Sequence, residues 1–238
     1  MKKNFVRYRQ HNKKGPGFWN QEYKKAGNFS LSDEPSEDLI IFTRWLERFQ
    51  GRTILNPTSS MTDLGCGNGR NSIYLSRAFG LRGTGYDSSS EAITQATKKA
   101  TGLPLVFEVR SIAGPIPLAD KSQLLVLDMM ASHFLKEKER TALRSEIKRI
   151  LKPGGFLFLK TFLRDDDQHS KRLLKDHPGE EEGTYIHPQI GVAEYVPTEK
   201  DLLAVFEEDF IIHRAIKSHR HKGNVAKRRS ICLYAERR

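Results

Sequence analysis

The run Asp63-Leu64-Gly65-Cys66-Gly67-Asn68-Gly69-Arg70 holds the densest chemistry in this 238-residue chain. A short apolar stretch leads into it and a helical pattern follows. Three glycines at alternate positions let a backbone turn tightly and approach a ligand closely. Asp87 follows Gly69 by eighteen residues, at the end of a second apolar stretch. An acid placed there can grip two ribose hydroxyls. The pattern is Asp-x-Gly-x-Gly-x-Gly, with the acid ahead of the first glycine, and not the dinucleotide form Gly-x-Gly-x-x-Gly. A pyrophosphate site favours a helix N-terminus clear of carboxylates. Asp63 suits a ligand that carries an ammonium or another cation. The constellation points to an adenosine-containing cofactor. Each residue taken singly also fits a tight strand-to-helix turn with a capping Asp.

The elements that must position these residues alternate. Phe18–Tyr23 reads as a short helix with Trp19 and Tyr23 on one face. Ser36 begins a second helix, with Leu39, Ile40, Trp45, Leu46 and Phe49 spaced for burial. Met61–Leu64 is a strand feeding the Gly-rich turn, Asn71–Ala78 a helix, and Gly83–Tyr86 the second strand. Ser88–Ser90 can cap a helix running to about Thr101. Strands follow at Leu105–Val109 and Leu124–Asp128, then an amphipathic helix over Glu137–Leu151. Lys152-Pro153-Gly154-Gly155 stops that helix before a fifth strand, Phe156–Phe162. Such alternation predicts a parallel sheet with helices on both faces. Ligands on such sheets sit at the carboxyl ends of the strands, where Asp63, Asp87, Ser111 and Asp128 all fall. Residues 163–197 are polar and lack clean periodicity, which predicts a long loop or small insert over the active-site edge. Thr198–Phe206 is a helix. Ile211–Ser218 and Ser230–Ala235 read as an antiparallel hairpin.

Charge is uneven. The net charge is +11, with eight Lys or Arg against Glu22 alone in residues 1–25 and nine against Glu236 alone in 211–238, so the ends carry +15 and the middle −4. Basic ends can meet nucleic acid, or they can be solvated tails. Residues 1–17 are expected as a flexible basic tail and 18–238 as one domain. Within that domain 18–58 would form N-terminal helices or a lid, 59–162 the cofactor core, 163–197 the insert and 198–238 the last helix and hairpin. No apolar run approaches the length of a membrane span. Two cysteines, Cys66 and Cys232, are too few for a disulfide framework or structural zinc site, so no metal is expected and a reducing, cytoplasmic setting is the plain reading. The sequence carries no signal of oligomeric state.

This order resembles the class I S-adenosylmethionine-dependent methyltransferases. Asp63–Gly69 is similar to their motif I, Asp87 to their ribose-binding acid, and Leu151-Lys152-Pro153-Gly154-Gly155 to their turn before strand five. The resemblance covers 60–162 well and the C-terminal hairpin loosely. It implies a Rossmann-like, seven-stranded α/β sheet, parallel but for its last strand, and S-adenosyl-L-methionine as cofactor. It implies contacts from Asp63, Gly65, Cys66, Gly67, Gly69, Asp87 and Ser88. Many members hold the adenine amino group with an Asp after the third strand. Here the stretch is Arg110-Ser111-Ile112, which leaves Ser111 as an acceptor, Ile112 as a backbone donor, or apolar packing. Asp128 either contacts the methionine end or caps the next turn. Trp19 and Tyr23 either form a lid whose rings suit a sulfonium, or pack on the sheet edge.

The resemblance further implies in-line attack on the sulfonium methyl, with alignment and water exclusion carrying much of the rate. No triad is needed and none is evident. Cys66 is read as a packing residue. His133 follows the fourth strand, where it could take a proton or serve structurally. Tyr185 and His187 lie in the insert as acceptor-pocket candidates. No Asn-Pro-Pro-Tyr or Asp-Pro-Pro-Tyr turn is present, which weighs against methylation of an exocyclic base amine. A small-molecule acceptor is the leading expectation. RNA or protein, met by the basic hairpin through Lys222, Lys227, Arg228 and Arg229, is second. A cofactor-binding regulator without turnover is third.

Overall fold

The computed structural model describes residues 15–25, 32–188, 190–218 and 228–238. The basic residues before 15, together with Lys222 and Lys227, therefore lie outside the described residues. Helix α1 (Gly15–Lys24) is followed by α2 (Glu37–Gln50). Glu37 and Asp38 in the first turn of α2 complement its dipole, and Leu39, Phe42 and Leu46 are buried on one stripe. Each such side chain contributes about 1.5–3 kcal/mol on burial.

The central alternation then follows as β1 (Ser60–Leu64), α3 (Arg70–Phe79), β2 (Arg82–Asp87), α4 (Ser90–Lys99), β3 (Leu105–Val109), β4 (Gln123–Met129), α5 (Glu137–Ile150) and β5 (Leu151–Phe162). Ser89 caps α4, its hydroxyl accepting from Ala92 N–H at 3.1 Å. Beyond β5 come α6 (Gln168–Asp176), β6 (Thr184–Ile186), β7 (Ala193–Tyr195), α7 (Glu199–Glu207), β8 (Phe210–Lys217) and β9 (Ser230–Arg237). The seven-stranded sheet has the order β3-β2-β1-β4-β5-β9-β8. Strands β1 to β5 pair in parallel, and β9 runs antiparallel to both β5 and β8.

Alternation along the central strands divides the core in two. Val126, Leu157, Leu159, Leu233 and Ala235 pack with Leu143, Ile147 and Phe206 from α5 and α7. Leu125, Leu127, Phe156, Phe158 and Tyr234 pack with Phe42 and Leu46 of α2 and Leu75 of α3. Leu125, Val126 and Leu127 are all fully buried, as a strand covered on both faces requires.

The segment 163–197 departs from the expected loop. It contains a nine-residue helix and a two-stranded antiparallel sheet, Thr184–Ile186 against Ala193–Tyr195, with a small core of Leu173, Tyr185 and Val196. The Asp167 carboxylate accepts from His169 N–H at 2.9 Å and caps the helix. Strands of three residues are too short to show a period of two, which is why the sequence pattern misses them.

Candidate active site

Glycines 65, 67 and 69 all take left-handed φ values, 73°, 55° and 76°. The turn they make is tied to the end of β2. Gly65 N–H and Cys66 N–H both donate to the Tyr86 carbonyl, at 2.8 and 3.0 Å. Gly67 N–H donates to Asp87 Oδ2 at 2.9 Å, and Ser89 N–H to Asp87 Oδ1 at 2.8 Å. Each carboxylate oxygen keeps acceptor capacity for a further donor. Burial pushes Asp87 up, opposed by the backbone bonds from Ser89, Gly67 and Ser88.

Asp63 and Asp128 complete an acidic rim. In the strand register Leu64 lies beside Tyr86 on one side and Asp128 on the other, so the three acids fall within one residue of the same level. Asp63 is buried and accepts from Ser72 Oγ of α3 at 2.7 Å. Burial first, then the charges of Asp87 and Asp128, push its carboxyl up to about 7 against the Ser72 bond. Asp128 is buried, accepts from Ser132 N–H at 3.1 Å, and is pushed up by burial to about 6. Among the described residues none of the three is ion-paired with Lys or Arg. Burying Asp63 and Asp128 beside the half-buried Asp87 without a cation is costly, and a cationic ligand relieves that cost. The residues present therefore fit an adenosine compound with a positive end.

Helix α1 lies across the carboxyl ends of the strands. Asn20 Oδ1 accepts from Ser89 Oγ, Ser90 Oγ and Glu91 N–H at 2.8, 3.3 and 3.1 Å, which docks α1 on the start of α4. Gln95 Nε2 donates to the Tyr23 carbonyl at 2.7 Å. At the other side Trp19 meets Phe134 edge-on at 5.2 Å, in the short turn after β4. The Tyr23 hydroxyl stands 2.2 Å from where a Cβ on Gly67 would sit. Burial, then the charges of Asp87 and Cys66, raise its pKa. Tyr23 thus meets the Gly-rich turn, and Trp19 meets the segment after β4.

The remaining sequence candidates fall into two groups. Cys66 is buried in the turn and burial pushes its thiol up, and Ile112 is buried beneath β3. Ser88 is half-buried, and Ser111 is exposed, accepting from Ala113 N–H at 3.2 Å. On the far side of Asp128, His133 is buried and stacks 4.1 Å from Phe134. Burial pushes it down to about 4, so it is neutral near pH 7. It borders a cavity of about 40 Å³ with Asp128, Thr161 and Tyr195, room for about one water. Tyr185 is fully buried and donates its hydroxyl to Glu194 Oε2 at 2.6 Å. His187 follows it, with ring centroids 6.4 Å apart.

Several participants carry no sequence signal. Asn20 acts from a separate helix, and Glu194 meets Arg228 across 34 residues. Ser72, in the first turn of the helix after the glycines, was findable as the donor to Asp63. Arg228 and Arg229 correct an expectation. They do not project as a basic group: Arg228 pairs with Glu194 and Arg229 with Asp166 at 3.0 Å. Among the described residues no cluster is placed to hold a metal, and no helix is long and apolar enough to cross a membrane.

Residues 61–155 match the family model of a methyltransferase domain. An uncharacterized methyltransferase of Synechocystis sp. is 29% identical over 105 residues, 44% of this chain and 48% of that one. The 27-O-demethylrifamycin SV methyltransferase of Amycolatopsis mediterranei is 30% identical over 125 residues, 51% of this chain and 45% of that one. The chain thus spans about half the length of these curated relatives. The crystal structure of a SAM-dependent methyltransferase from Methanosarcina mazei superposes with a TM-score of 0.65 at 27% identity, over 80% of this chain and 96% of that one. Sheet order, Gly-rich turn and matches agree over the same stretch: residues 61–155 form a methyltransferase domain of the class I S-adenosylmethionine-dependent type, with S-adenosylmethionine as its cofactor.

Proposed function

We propose that the chain catalyses methyl transfer from S-adenosylmethionine to a nucleophilic atom of a small-molecule acceptor. The observation that carries this is the rim of three acids around the Gly-rich turn, Asp63 and Asp128 buried and Asp87 half-buried. The cofactor supplies a methyl on a positively charged sulfur leaving group. In this reading Asp87 receives the ribose hydroxyls, and Asp63 with the turn backbone holds the ammonium end. Ser88, Ser111 and Ile112 border the adenine side. Trp19 and Tyr23 exclude water from above. No covalent catalyst is required, so the chain's work is orientation and desolvation. His133 is neutral and can accept a proton, though burial makes it a weak base.

Enclosure favours a small acceptor over RNA or protein. The insert folds over the β4–β5 side, and Arg228 and Arg229 are turned into ion pairs. A relative named for 27-O-demethylrifamycin SV is in keeping with that class. A cytoplasmic setting belongs to the same reading, since Cys66 and Cys232 are buried, unpaired thiols. The test is transfer of labelled methyl from S-adenosylmethionine to metabolite pools, RNA and protein. Label in a small-molecule fraction is expected. Label in RNA or protein alone would overturn the acceptor class, and no transfer to any pool would favour a regulator.

A further inference from the structure

The cofactor cleft leaves one charged side chain unexplained. Arg228 stands two residues before β9, its side chain 11% exposed, with Nη1 donating to Glu194 Oε2. Its Cζ lies 3.3 Å from the ring centroid of Phe162, at the end of β5, and 5.3 Å from that of Tyr185. Nε and Nη2 are buried and have no hydrogen-bond partner among the described residues. Those two N–H groups form the side-on edge of the guanidinium, which takes a planar carboxylate bidentately. The ring faces attract the charge but give the in-plane N–H groups no acceptor. Leaving such donors buried and unmade is costly.

A second unsatisfied group borders the same ring. His133 is 2% exposed, meets Phe162 edge-on at 5.4 Å, and neither of its nitrogens has a partner. It lines the cavity shared with Asp128 and Thr161. Two costly polar side chains thus meet on Phe162 at the carboxyl ends of β4 and β5, away from the ribose acid. The nearby acids are engaged. Glu194 holds Tyr185 and Arg228, while Asp167 holds Ser170 Oγ and Arg229 N–H. His169 and His187 lie close enough to feel the charges of Arg228 and Glu194. An arriving anion would meet a free guanidinium edge and imidazoles.

We infer that the free edge of Arg228, with His133, forms a subsite for a carboxylate on the acceptor. Calling it an acceptor subsite rests on the methyl-transfer reading; carboxylate binding does not. One guanidinium shared with Glu194 matches a planar monoanion better than a phosphate dianion. Nε and Nη2 are buried, so the packing around them must yield for entry.

The test uses the full chain labelled with 15N-histidine, with S-adenosylhomocysteine present. Benzoate and its uncharged isostere benzamide are titrated while the His133 ring signals are followed. Benzoate should saturate and shift those signals, and benzamide should not. Arg228→Lys keeps a charge for Glu194 but removes the fork, so it should weaken benzoate about tenfold or more. If that variant loses its fold, the wild-type contrast and a benzoate-soaked crystal decide. Equal responses to the two probes, unchanged affinity in folded Arg228→Lys, or benzoate seated elsewhere would overturn the subsite. Cofactor affinity is measured separately by calorimetry. Intact cofactor binding without a benzoate response removes the subsite alone. A benzoate response in a chain that binds no cofactor removes the methyl-transfer reading alone.

Discussion

Binding of S-adenosylmethionine should release protons from the acidic rim. Asp63 sits near 7 and Asp128 near 6, both raised from 3.8, first by burial. Below those values part of each is protonated in the free protein. A cation seated beside them favours the ionised forms and drives the protons off. If both acids ionise fully, release is about 1.4 protons at pH 6 and about 0.1 at pH 8. The acids interact, so the release belongs to the set and not to one site. Calorimetry at pH 6 in buffers of different ionisation enthalpy reads the number directly. Zero buffer dependence, or net uptake, would refute the placement of a cation against this rim. Stability has the matching sign. The folded pKa values lie above the unfolded ones, so the native state holds more protons between about pH 4 and 7. The free protein should therefore lose stability as pH rises through that window, by at most on the order of 4 kcal/mol for Asp63. Ser72→Ala removes the bond that lowers Asp63 and should extend proton release to higher pH.

Asp87→Ala should weaken cofactor binding by roughly 10–100-fold, the scale for losing charged hydrogen bonds. Calorimetry on folded mutant checks it, with unchanged affinity assigning Asp87 to the turn alone. Gly67→Ala should cost about 1–2 kcal/mol for its left-handed φ, and more because its Cβ meets the Tyr23 hydroxyl. Removing that hydroxyl with Tyr23→Phe should restore part of the loss in the double variant, and strictly additive melting shifts would show that the contact carries no energy. Lys222→Ala with Lys227→Ala should leave turnover on the identified acceptor unchanged, and a loss confined to RNA would reverse the choice of acceptor class.

The Gly-rich turn and the acid after the second strand were legible because their determinants are local. Asp63 to Gly69 is one continuous run, and Asp87 ends the next strand, so period and spacing locate both. Strand alternation also marked the seven strands of the main sheet, six of them to within two residues, whereas β5 begins five residues earlier than expected, at Leu151, with a register shift before Phe156. The segment 163–197 was not legible. Its strands are three residues long, its helix depends on the Asp167 cap, and its key ion pair joins residues 34 apart. Charge counting also misled at Arg228. Composition records a basic end but not which way a side chain turns, and a buried carboxylate 34 residues away decided that.

A series of ring contacts joins α1 to Arg228. On the cofactor side α1 reaches Phe134 through Trp19 at 5.2 Å. Phe134 stacks on His133 at 4.1 Å, His133 meets Phe162 at 5.4 Å, and Phe162 carries Arg228. Close-packed rings shift together, because a gap between them forfeits contact energy. A shift of α1 should therefore bear on the packing around Arg228. The family match ends at residue 155, whereas Phe162, Tyr185, Glu194 and Arg228 all lie beyond it. The shared domain accounts for the cofactor, and the residues after it are where the choice of acceptor is to be sought.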